Sequence, residues 1–204
     1  MRTNAKFVLA AALLLPYLNA NAALASGQGG SGKGNGPKIS QPVVTVVGFK
    51  AQLDSVVLDG NGEGEAEYKM KSSTLGTKES FEGEAEFSIP DPSLGITDLN
   101  SAQTAQLEMH LSRGGTDYAV CSLAIKEIEF EYKLTGVQIQ AEYGVSVSQQ
   151  TLTGGTPSLS QKVGSCMLGT GPGVPTVAAG DIATVFSVVG SPAVSTQVLT
   201  GTFQ

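Results

Sequence analysis

The sequence predicts an all-β fold, an antiparallel β-sandwich or small barrel of about 8–10 strands with at most one short helix. Three observations predict it. Apolar and polar residues alternate with a period of two through most of the chain from Val43 onward, clusters of Gly, Pro and Asn cut that alternation into short runs, and helical periodicity is weak throughout. Successive strand side chains point to opposite faces, so each run has one apolar and one wet face. That is the habit of antiparallel sheets, since parallel ones are usually buried on both sides.

The first elements are not part of the fold. Arg2 and Lys6, the apolar run Phe7 to Leu15 and the small–x–small set Ala20-Asn21-Ala22 form a secretory signal peptide over residues 1–22. The apolar run is too short for a membrane-spanning helix, which needs roughly 20 residues. Residues 23–42 follow as a flexible Gly/Ser-rich leader, beginning ALASGQGGSGKGNGP. The chain is expected to be exported, to the periplasm or outside the cell, with no transmembrane segment after cleavage.

Residues 43–204 are expected to form a single β-domain. Phe49, Ala51 and Leu53 alternate with Lys50, Gln52 and Asp54. Ala66, Tyr68 and Met70 alternate with glutamates and lysines, as do Phe81, Ala85, Phe87 and Ile89. Asp98 to Leu111 is the one stretch with a helical alternative, Asp98 being a cap; Ala105, Leu107, Met109 and Leu111 also alternate, which predicts a strand over Gln106 to Leu111 after one helical turn. Ile128, Phe130 and Tyr132, then Val137, Ile139, Ala141, Tyr143, Val145 and Val147, continue the pattern. From Gly169 to the end the only charged residue is Asp181, read as a turn residue after Gly180, while Leu199 and Phe203 are expected to close the core.

Composition excludes several functions. The 204 residues are 41% hydrophobic and 15% charged, too apolar for a disordered chain. One His and two Cys cannot build most zinc, haem or iron–sulfur sites. A net charge of −6 argues against nucleic-acid binding, which relies on a basic surface. Cys121 and Cys166 have neither Cys-x-x-Cys spacing nor the setting of a nucleophile, and an exported chain meets an oxidising compartment, so they predict a structural disulfide. Closing a loop of about 46 residues contributes roughly 4 kcal/mol in the chain-entropy model.

The candidate site is acidic. Glu63-Gly64-Glu65-Ala66-Glu67-Tyr68 and Glu82-Gly83-Glu84-Ala85-Glu86-Phe87 nearly repeat each other, so they are expected to pair as a hairpin with all six glutamates on one face. Glu127, Glu129 and Glu131 add a third line of the same spacing. Like charges at about 5 Å across a strand pair are destabilising. The plain reading is a solvated face, screened by salt and relieved by Lys69, Lys71, Lys78, Lys126 and Lys133. Two functional readings stand beside it: a divalent cation, calcium by its preference for oxygen ligands, or a basic partner. Asp59-Gly60-Asn61-Gly62-Glu63 is only a fragment of a calcium-loop pattern.

Catalytic constellations are absent from the sequence. His110 is the only histidine and lies on the polar side of its strand with Gln106 and Glu108, and there is no G-x-S-x-G. Carboxylates for glycoside hydrolysis are plentiful, but the aromatic platforms of a sugar cleft are scarce.

The terminal layout resembles that of bacterial chaperone–usher pilins, exported all-β domains of similar size with one disulfide, an N-terminal segment that inserts into a neighbour and a penultimate aromatic. Phe203 is penultimate here and Val43 to Phe49 stands where a donor segment would. The resemblance implies an assembly subunit lacking one strand when alone. The chain departs from it in the place of its cysteines, which that family carries near the beginning, and in its Gly-rich leader. The expectation is an exported, non-enzymatic β-domain with a structural or binding role toward a protein or cell-surface partner. A pilin-like or adhesion subunit and a calcium-modulated binding module are the alternatives, and no cofactor other than calcium is expected.

Overall fold

The computed structural model describes residues 43–56, 61–91, 94–133, 136–189 and 193–204. The expected signal peptide, the leader and Asp59-Gly60 lie outside the described residues. The strands are β1 (Thr45–Ser55), β2 (Glu63–Ser73), β3 (Gly76–Ile89), β4 (Gln106–Arg113), β5 (Thr116–Lys133), β6 (Gly136–Leu152), β7 (Ser158–Val163), β8 (Ser165–Leu168), β9 (Gly171–Pro172), β10 (Ile182–Val189) and β11 (Val194–Thr202). One short helix, α1 (Leu99–Thr104), precedes β4. Every strand pairing is antiparallel.

Of the two expected forms, the structure is the barrel. Eight strands close in the order β6-β3-β2-β1-β11-β10-β4-β5 and back to β6. The sheet of a sandwich would stop at β1, but Asp54 and Ser55 pair with Thr200 and Leu199 of β11. The seam between β5 and β6 is forked. Residues 124–133 of β5 pair with β6, while Ser122 to Ala119 pair instead with β8, and β6 takes β7 as its neighbour from Ser146 on. Gly164 joins β7 to β8 at the fork with φ +58°, and a Cβ there would stand 2.3 Å from the Ser122 carbonyl oxygen. Cys121 and Cys166 are directly opposed across β5 and β8, both fully buried, and bonded.

The alternating positions fill the barrel. Tyr68, Phe81, Phe87, Leu107, Met109 and Tyr143 are among its fully buried residues, and an eight-stranded barrel is just wide enough for side chains to fill. Both ends are plugged. At one end Asp98 caps α1 by accepting from the Ser101 N–H at 2.8 Å, which seats Ala102 in the core, where its carbonyl accepts a bond from the Tyr143 hydroxyl at 2.7 Å. Leu94 and Ile96 are buried alongside. At the other end Val174, Val177 and Phe203 are buried, and Leu199 and Phe203 join the core as expected.

Asp181 does more than turn the chain. It is 2% exposed, and its carboxylate accepts from Arg113 Nε and Nη2, both at 2.7 Å, from the Tyr118 hydroxyl at 3.0 Å and from the Ala178 N–H at 2.9 Å. This bidentate pair ties the plugging segment to the β4–β5 hairpin. Among the described residues no helix is long and apolar enough to cross a membrane. The charge distribution is also the reverse of a membrane barrel, with an apolar interior and carboxylates outside.

Candidate functional site

The acidic face begins with the β2–β3 hairpin, whose register places Glu63 opposite Glu86, Glu65 opposite Glu84 and Glu67 opposite Glu82. The six glutamates therefore share the outer face, because the inner positions are taken by Ala66, Tyr68, Phe81 and Ala85. Glu127, Glu129 and Glu131 do not adjoin this hairpin. Strand β6 lies between, pairing with β3 on one edge and with β5 on the other. It contributes Glu142, which alternates with the inward Ala141 and Tyr143 and was not among the expected site residues. Asp54 of β1 was missed in the same way.

The registers combine into one line. Asp54, Glu63, Glu86, Glu142 and Glu127 stand side by side across β1, β2, β3, β6 and β5. Directly opposed side chains are about 5 Å apart, so this row concentrates negative charge along the girth of the barrel. Glu65 with Glu84, and Glu67 with Glu82, form shorter rows beside it.

Three lysines relieve the rows in part. Lys50 pairs with Glu65 at 2.7 Å and Lys69 with Glu67 at 2.5 Å. Lys126 is the extra residue of a β-bulge in β5, between Ile125, opposite Tyr143, and Glu127, opposite Glu142. Its stem crosses Gly144, where a Cβ would stand 2.4 Å from Lys126 Cδ, and its ammonium donates to Glu84 and Glu142. Burial works against the charge on Lys126, but the bonds to Glu142 and Glu84 prevail and hold its pKa above the ordinary lysine value. Among the described residues the ion pairs reach Glu65, Glu67, Glu84 and Glu142, and none reaches Glu63 or Glu86. Partial burial, then repulsion from Glu63, Glu129 and Glu142, pushes the Glu86 pKa above the usual carboxylate range. A shallow depression lies here, lined by Gln52, Glu63, Glu65, Glu84, Glu86 and Glu142.

The face does not gather its carboxylates around a point. Among the described residues no group of three or more acidic, His or Cys side chains is placed to hold a metal ion. The physical reason is the pleat, which sends neighbouring outward side chains up in parallel.

His110 lies on the outer face with both ring nitrogens engaged, Nδ1 to Asp117 at 2.7 Å and Nε2 to Glu108 at 3.3 Å, and its ring packs 4.7 Å from that of Phe186. Two carboxylate partners leave neither nitrogen directed at a hydroxyl nucleophile. No family model, no curated protein and no solved structure matches the chain.

Proposed function

We propose that this chain is an exported, non-enzymatic β-barrel protein that acts by recognition, offering its acidic outer face to a cationic partner on a protein or cell surface. The observation that carries this reading is the five-carboxylate row on a barrel whose interior is occupied by its own side chains. A filled barrel leaves no room for the enclosed ligand of a lipocalin-like carrier, so recognition falls to the outside. Among the described residues no lysine pairs with Glu63 or Glu86, and a partner's cations would relieve the repulsion that the fold itself only partly offsets. Closure of the barrel by its own strands favours a self-contained domain over a subunit that must borrow one.

Binding of an oligolysine peptide to the purified protein, followed by calorimetry over a salt series, tests this reading. Glu63→Gln/Glu86→Gln is expected to weaken binding by about tenfold, since a pair of close charges is worth on the order of 1–2 kcal/mol across an interface. Glu108→Gln/Asp117→Asn, which removes the same net charge elsewhere, is expected to leave binding nearly unchanged. Equal losses in the two variants would contradict the proposal, because binding would then follow net charge and not this face. The same titration with calcium examines the cation alternative, and a calcium-dependent rise in melting temperature abolished by the first variant would decide for it.

A further inference from the structure

The acidic row ends on β5, and β5 carries a feature that the row does not explain. Its partner β4 stops pairing at Leu107, opposite Leu123. Beyond that point, residues 124–133 pair only with β6 among the described residues, so β5 presents an open edge as it rises past the rim of the barrel. One face of this projection continues the apolar interior into solvent. Phe130 is 40% exposed, Tyr132 72% and Val137 53%, with Phe130 opposite Ile139 and Tyr132 opposite Val137. The other face carries Glu127 opposite Glu142, and Glu129 opposite Gln140.

An open edge with one apolar and one acidic face specifies its complement. A strand added there continues both faces, so it must carry apolar residues on one side and basic residues on the other, in strict alternation. A second copy of this chain does not meet that requirement. Antiparallel self-pairing of β5 with its faces matched sets glutamates of one copy against glutamates of the other, and like charges directly opposite are destabilising. Other stretches among the described residues also lack a second neighbour, but none is acidic: β7 reads Ser-Leu-Ser-Gln-Lys-Val, β9 is only Gly171–Pro172, and residues 45–49 at the start of β1 carry no carboxylate. The geometry points to the β5 edge as a strand-addition site for an extended segment of a partner protein in which basic and apolar residues alternate. This rests on the reading of the acidic face as the recognition surface, and supplies the backbone contact that charge alone lacks.

The test compares three probes on the purified protein: a peptide of about nine residues alternating lysine and valine, an oligolysine of equal charge, and the alternating peptide N-methylated on every amide. The alternating peptide is expected to bind at least about tenfold more tightly than oligolysine, and N-methylation to remove that advantage by deleting the donors of the added ladder. Tyr132→Lys, at a site too exposed to matter for folding, is expected to weaken the alternating peptide by about tenfold and oligolysine little. Equal binding of all three probes would overturn strand addition and leave the acidic-face reading standing. Binding of none would overturn both. A dimer in the absence of peptide that Tyr132→Lys dissolves would also overturn the proposal, because a second copy would be the occupant.

Discussion

The two sides of the barrel handle charge in opposite ways. Strands β1, β2, β3 and β6 hold their carboxylates in exposed rows, partly answered by Lys50, Lys69 and Lys126. From Gly169 onward, through β10 and β11, the chain has a single charged residue, Asp181, and it is buried. Exposed pairs are screened and individually worth about 0–1 kcal/mol. A buried carboxylate with four hydrogen bonds cannot lose its partners without leaving polar groups stranded. The number of charges on a side therefore says little about what holds it: the acidic rows are exposed and only partly paired, while the neutral side is tied to the β4–β5 hairpin through the single buried carboxylate of Asp181.

The largest effect should come from the covalent link. Cys121→Ala/Cys166→Ala is expected to cost about 4 kcal/mol, read as a fall in the urea midpoint, because the bridge closes a long loop and holds β8 against β5 at the fork. Asp181→Ala comes next, at roughly 2–4 kcal/mol, or a fall of about 5–15 °C in Tm, since it removes the acceptor for Arg113, Tyr118 and the Ala178 amide together. If Asp181→Ala melted like the parent, the clasp would be dispensable and the contrast between the sides would fail.

Acid should separate the two sides by sign. Hydrogen bonds from Arg113, with those from Ala178 and Tyr118, outweigh burial and hold the Asp181 carboxyl below its ordinary pKa. Its contribution is therefore complete at neutral pH and is lost as pH falls through the native value. Glu86 runs the other way. Its raised native pKa means that the ionised form costs stability, and that cost is relieved as pH falls through the raised value. Stability should rise slightly from about pH 7 into the mildly acidic range and then fall on further acidification. In a Tm–pH series, Glu86→Gln should flatten the rise and Asp181→Asn should remove part of the fall.

Much of this was legible in the sequence, for local reasons. The hairpin and its common glutamate face could be read because β2 and β3 carry almost the same Glu-Gly-Glu-Ala-Glu string, and a pairing that sets apolar against apolar puts the glutamates together. The helical turn and the strand after it were legible from the Asp98 cap and the alternation from Ala105. What could not be read is long-range. Glu142 joins the row because β3 pairs with a strand more than 50 residues away, and Glu127 falls into line only through the bulge at Lys126. Asp181 after Gly180 looked like a turn, and Gly180 does have φ +87°, but nothing local points to Arg113, 68 residues earlier. Barrel and sandwich differ by the β1–β11 pairing, which joins the two ends of the described chain.

The smallest predicted effect tests the central claim most directly. If the acidic rows serve recognition and not folding, then neutralising Glu63 and Glu86, which pair with no lysine among the described residues, should not weaken the protein. The measurement is the Tm of Glu63→Gln/Glu86→Gln against the parent at low and at high ionic strength. The variant is expected to be as stable as the parent, or more stable by about a few tenths of a kcal/mol at low salt, with the difference vanishing at high salt. A clear loss of stability at either ionic strength would contradict it, because the acidic rows would then be part of what holds the barrel together.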